Sequence, residues 1–125
     1  MEIEEENLKL NALRGATTCE KNSIDAIEDS VDELIRELLC RNKLIPKRII
    51  SIIFSATKDL NVCFPASIAR KHNGMSEIAL LDCQQMHVDS DLEFCIRILA
   101  HAWMPKNEVA NHIYLRKATL LRPDR

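Results

Sequence analysis

Apolar and polar residues change their spacing along this chain, and each change predicts a new element. From Leu8 to Thr18 the apolar positions Leu8, Leu10, Ala12 and Ala16 alternate with others, the period of a strand whose side chains point to opposite faces in turn. Arg14 falls on the side of those residues, where an arginine needs an explanation. Asn22 or Ser23 then caps a predicted helix in which Ile24, Ile27, Val31, Leu34, Ile35 and Leu38 recur at three and four, with Pro46 just beyond its end. Residues 48–57 hold Ile49, Ile50, Ile52, Ile53 and Phe54, a continuous run that predicts a strand buried on both faces. Residues 58–61 follow as a turn.

Pro65 suits the first turn of a short helix running to about Asn73, where Gly74 supplies a left-handed stop. Residues 77–83 and 94–103 predict two more strands, although Asp91 before Leu92 also suits a helix start. Residues 105–111 predict a short helix and 112–122 a final strand. The order strand, helix, strand, helix, then mostly strands gives an α/β or α+β domain built on one mixed sheet. Residues 1–7 form an acidic leader expected to fray, and 8–125 a single domain.

Composition narrows the function more than the fold. The 125 residues are 46% hydrophobic and 29% charged, the balance of one globular domain. A formal net charge of -2 gives no electrostatic case for nucleic acid. No apolar run approaches the roughly 20 residues that span a bilayer, and the acidic start is unlike a signal peptide, so no membrane and a cytoplasmic setting are expected. The five cysteines, Cys19, Cys40, Cys63, Cys83 and Cys95, are odd in number and lack any C-x-x-C pair, which predicts reduced thiols, mostly buried. His87, His101 and His112 match no usual ligand spacing, and two glycines cannot build a phosphate loop. Neither a metal nor a cofactor is expected.

The residues that carry chemistry are arginines set in apolar strands, Arg14 and Arg97. An uncompensated charge in a core costs several kcal/mol, so each needs a partner. One choice is a structural carboxylate such as Asp59, Asp82 or Glu108; the other, favoured by having two such arginines with Arg70 and Arg122 also available, is an anionic small molecule. Asp82, ending the apolar run 78–81, is either a carboxylate at a cavity or a turn cap. Trp103 and Tyr114 read as packing residues, Tyr114 with a hydroxyl able to reach a ligand.

Six short stretches carry a resemblance. They are Arg14-Gly15-Ala16-Thr17-Thr18, Phe54-Ser55-Ala56-Thr57 with Asp59-Leu60, Cys63-Phe64-Pro65-Ala66, Cys95-Ile96-Arg97-Ile98, His112-Ile113-Tyr114-Leu115, and Leu120-Leu121-Arg122-Pro123-Asp124. In this order, over residues 12–124, the set resembles the AroH-class chorismate mutases. The resemblance implies a pseudo-α/β barrel formed by a homotrimer, with three active sites between neighbouring chains. It also implies an isomerase of aromatic amino-acid biosynthesis that converts the dianion chorismate to prephenate by a concerted rearrangement, with no cofactor. By the same resemblance Arg97 donates to the ether oxygen, and Arg14, helped by Tyr114, binds the side-chain carboxylate. Phe64, Ala66 and Leu121 wall the ring, Arg70 lies at the mouth, and Arg122 helps to close the site.

Three positions depart from the family pattern. Ser67 stands where a lysine is usual, and Gln85 where a glutamate usually accepts the hydrogen bond of the substrate's ring hydroxyl. Asp82 stands where a small or thiol residue is usual. One expectation drawn from these is that the carboxylate has moved: Asp82 takes the hydroxyl and balances Arg14 and Arg97, while Gln85 gives a neutral amide contact; the other is that Asp82 points to solvent or pairs with Arg70. The alternative function is a non-catalytic trimer that binds chorismate or prephenate as a sensor or pathway partner; a third reading is a related trimeric fold such as the imine deaminases.

Overall fold

The structure, a computed structural model, describes residues 7–121. Its elements are β1 (Leu8–Thr18), α1 (Ile24–Arg41), β2 (Ile49–Ala56), α2 (Pro65–Ala69), β3 (Ala79–Gln84), β4 (Cys95–Pro105) and β5 (Ile113–Tyr114). Single 3-10 turns at Pro46–Arg48 and Arg116–Leu120 complete the set. The strands form one mixed sheet in the order β3-β2-β4-β1-β5. At its centre β1 and β4 run antiparallel over eleven residues each, and the edge strands β3 and β5 join in parallel.

The helices lie on one face of this sheet. Ser23 caps α1, its hydroxyl accepting from the Ala26 N–H at 3.1 Å, and Asn22 instead pairs with Asn61. The apolar stripe Ile27, Val31, Leu34, Ile35 and Leu38 is fully buried against Leu13, Ile52, Phe54, Ile98 and Ala100. Burying each such side chain contributes about 1.5–3 kcal/mol. The register places Leu13, Gly15 and Thr17 on this helix-covered face, opposite Ala100, Ile98 and Ile96.

That phase corrects the reading of β1. Its even residues, taken as the apolar side, face away from the helices: Leu10 is 52% exposed and Ala12 is also exposed. Leu13 fills the core instead. Similarly, β2 is buried on one face only; Ile52 and Phe54 are buried, while Ile53 is half-buried and Ile50, at a bulge, is exposed.

Three other expectations change. Residues 105–111 are not a helix, because Pro105 ends β4 opposite Leu8 and Asn111 is held by Asn42, which accepts its N–H at 2.8 Å. The final strand shrinks to Ile113–Tyr114 before the chain turns at Arg116, whose φ is 52°. The helix at Pro65 stops at Ala69, with turns running on to Gly74. Of the cysteines, only Cys19 and Cys95 are buried; Cys40 and Cys83 are exposed. Residues 1–6 of the acidic leader lie outside the described residues, whereas the Asn7 carbonyl accepts from the Lys106 N–H.

Candidate active site

The face without helices carries the arginines. Pairing across the sheet puts Cys83, Ser55, Arg97, Ala16 and Tyr114 in one transverse row, and Leu81, Ile53, Leu99 and Arg14 in the next. Arg14 and Arg97 are therefore diagonal neighbours on one face, close enough for long side chains to share a ligand. Ala16 lies between Arg97 and Tyr114 in this row and is buried.

The two arginines differ in what holds them. Among the described residues Arg14 has no salt-bridge partner; its backbone N–H donates to His112 Nδ1 at 2.9 Å. Arg97 pairs with Asp91, its Nη2 lying 3.2 and 3.3 Å from the two carboxylate oxygens. Its Nε is buried and has no acceptor. A buried donor left unsatisfied costs about 1–3 kcal/mol, so an acceptor brought to this atom would be stabilising.

Asp91 comes from the segment joining β3 to β4, which is pinned at both ends. Gln85 N–H donates to Ala56 O, and Phe94 N–H to Asp59 Oδ2. Midway, Asp91 receives Leu92 N–H at 2.8 Å and Gln85 Nε2 at 2.5 Å. Gln85 and Asp91 both line a cleft of about 220 Å³ with Thr57, Lys58 and His87. Sequence reasoning missed Asp91; its only signal was a position six residues from both Gln85 and Arg97. Asp59, one of the carboxylates weighed as a partner for the arginines, is spent on Thr57 and Phe94, and Glu108 pairs with neither arginine.

The remaining predicted residues gather elsewhere. Asp82 pairs with Phe54 in the sheet and so points to the helix-covered face, where its Oδ1 accepts the Ala66 N–H at 3.0 Å. Within one chain it does not stand between Arg14 and Arg97; it caps α2. Burial pushes the Asp82 carboxyl above its ordinary range, opposed by the Ala66 N–H and by Arg70. Beside it, Phe64 is 67% exposed, Ala66 is buried and Arg70 is exposed. Phe64 and Asp82 line a second cleft of about 340 Å³. Ser67 is half-buried on α2, and Leu121 is half-buried after the last 3-10 turn; Arg122 lies outside the described residues.

The site residues thus form two groups, Arg14, Arg97, Gln85 and Tyr114 on the open face, and Phe64, Ala66 and Asp82 at the start of α2 with Arg70 at its end. Burial raises the Cys19, Cys63 and Cys95 thiols above their ordinary value, which leaves them poor nucleophiles. Among the described residues no group of three His, Cys, Asp or Glu side chains is placed to hold a metal. No helix there is long and apolar enough to cross a membrane.

Comparison with known proteins agrees with this geometry. The chorismate mutase type I family matches residues 10–125. Chorismate mutase AroH of Bacillus subtilis (strain 168) is 30% identical over 119 residues, covering 94% of this chain and 93% of that protein. Its counterpart from Thermus thermophilus is 36% identical over 119 residues, with 92% and 95% covered. A solved chorismate mutase from Clostridium thermocellum superposes with a TM-score of 0.80 at 38% identity, over 87% of this chain and 97% of that one. With one α/β sheet of the same fold and a match over nearly its whole length, this chain belongs to the type I, AroH-class chorismate mutase family.

Proposed function

We propose that this chain converts chorismate to prephenate in the cytoplasm, as a homotrimer whose sites are each completed by two neighbouring chains. The observation that carries the reading is the open-face pair: among the described residues Arg14 has no salt-bridge partner and the buried Arg97 Nε no acceptor. The reaction breaks one carbon–oxygen bond and forms one carbon–carbon bond in a single pericyclic step. It requires no nucleophile and no proton transfer, only a folded substrate conformer and stabilisation of the charge that develops on the ether oxygen.

Each group then has a task. Arg97 donates to the ether oxygen, and a donor fixed before the reaction is worth more than a water that must reorient. Arg14 holds the side-chain carboxylate, with the Tyr114 hydroxyl beside it. Gln85 lies at the ring hydroxyl. From the neighbouring chain, Phe64 and Ala66 wall the ring, Arg70 attracts the ring carboxylate and Asp82 holds the start of α2 in place. Leu121 is a further wall of the ring, and the family resemblance gives Arg122 the task of helping to close the site. Ser67, in place of the family's usual lysine, leaves one cation fewer at the entrance.

Two facts support shared sites. The residues the family uses fall into two groups of one chain, and the sheet face between them is uncovered. On that face Leu10 is 52% exposed, Trp103 43% and Leu81 57%, an apolar strip of the kind that marks an interaction surface. A monomer by light scattering at working concentration would contradict the shared sites. The activity itself is tested by following loss of chorismate with prephenate identified as product. Saturable turnover is expected; binding without turnover would favour the sensor.

A further inference from the structure

The family's usual hydroxyl-accepting glutamate is Gln85 in this chain, and an amide carries no charge. We propose that Asp91 supplies that charge at one remove, as a positioning residue that fixes both Gln85 and Arg97 for the reaction. This rests on the chorismate reading above.

The geometry carries it as follows. A carboxylate only accepts, so the Gln85 group facing Asp91 at 2.5 Å is its Nε2. The amide cannot turn over without setting oxygen against oxygen. Its Oε1 is therefore directed away from Asp91, and it is a buried acceptor with no donor. Close by, Asp91 accepts Arg97 Nη2 through both oxygens, and Arg97 Nε is a buried donor with no acceptor. One carboxylate thus sets an acceptor and a donor, both without a partner among the described residues. Chorismate presents the complement, a ring hydroxyl that donates and an ether oxygen that accepts. Both atoms are closed to water, so a ligand reaches them only with a shift of the surrounding side chains. Hydrogen bonding to Asp91 also polarises the Gln85 amide and makes its oxygen a better acceptor.

Leu92 N–H, bonded to Asp91 Oδ1 at 2.8 Å, fixes which way the carboxylate turns. In Asp91→Asn that bond persists through the amide oxygen, so Nδ2 faces Gln85 and Arg97. Donor then meets donor, and Gln85 turns over to present an NH2 where the acceptor stood. The loop keeps its anchor while the site loses its polarity.

The test is a cycle of Asp91→Asn, Gln85→Glu and the double variant, assayed for kcat and KM on chorismate across pH, with circular dichroism and thermal melting on each. Asp91→Asn is expected to lower kcat by tenfold or more with KM changed by less. Gln85→Glu alone sets two carboxylates against each other, which share one proton; its kcat is expected to fall as pH rises and that proton is lost. The double variant returns the single charge to position 85 and is expected to recover most of the wild-type kcat without that pH dependence. Unchanged kcat in Asp91→Asn overturns the proposal, as does a double variant no better than Asp91→Asn alone, since a merely structural aspartate is not replaced from position 85. Wild-type protein inert towards chorismate would instead sink the mutase reading, a result separate from either.

Discussion

Arg97 and Arg116 are both half-buried arginines, and the difference between their surroundings separates chemistry from architecture. Arg116 is held at all three nitrogens: its Nε donates to Glu33 at 3.0 Å, Nη1 to the Ser30 hydroxyl at 2.9 Å and the Thr18 carbonyl at 3.4 Å, and Nη2 to Asp29 at 3.1 Å. It ties the 3-10 turn after β5 to α1 and to the end of β1. Arg97 has one carboxylate and an orphaned Nε. A guanidinium with every nitrogen bonded to its own chain holds a fold together, whereas one with a buried nitrogen unspent has a donor to give.

The contrast breaks first at Arg97. Arg97→Ala is expected to lower kcat by about a hundredfold or more, the usual scale for losing a preorganised donor to a developing oxyanion, with thermal melting close to wild type. A loss of only a few-fold in a steady-state assay would place Arg97 with the structural arginines. Next comes Arg14→Ala, which removes a charge-assisted contact worth about 1.5–3 kcal/mol. It should act mainly on KM, raising it roughly tenfold or more; an effect on kcat alone would show that Arg14 does not bind the substrate carboxylate.

Arg116→Ala tests the other side. Losing its bonds to α1 is expected to cost about 1–2 kcal/mol in denaturant unfolding, while kcat per folded site stays within about twofold, a bound that follows if every Arg116 donor is structural. The smallest effect belongs to Asp82. Burial raises its folded pKa above the unfolded value, so its contribution to stability is fully present below the unfolded pKa and is lost as pH rises through the folded one. Asp82→Asn keeps an oxygen for the Ala66 N–H and removes the charge. It is therefore expected to melt slightly higher than wild type at pH 7, with the gap closing as the pH falls below the carboxylate range.

How much of this was legible in the sequence depended on how local each cause was. The α1 stripe repeats within one helix, and so it was readable from spacing alone. For β1 the alternation was seen but its phase was inverted: four apolar residues on the even side outnumber Leu13, yet the core is chosen by which face the helices cover. Residues 105–111 look helical in isolation, but the chain makes a single turn after Pro105 and a partner 69 positions away holds Asn111. In the site, Arg14, Arg97 and Tyr114 stood out as polar residues within apolar strands, but their place on one face comes from the pairing of β1 with β4 and β5, which no local pattern contains. Asp91 did not stand out, since nothing in its neighbours' identity says that the loop folds back on both of its ends.

Gly15 has a consequence beyond packing. A methyl group there would come within 3.0 Å of Ile98 Cγ1 and 3.1 Å of the Ile113 backbone oxygen, tighter than ordinary contacts, and the backbone atom is the one that cannot swing aside. The two residues of β5 are anchored to the sheet at this position and the next, so any side chain at 15 pushes Tyr114 outward with its strand. In an alanine scan of β1, Gly15 would stand out as the position where a change facing the core is felt on the opposite side of the sheet, at the ligand.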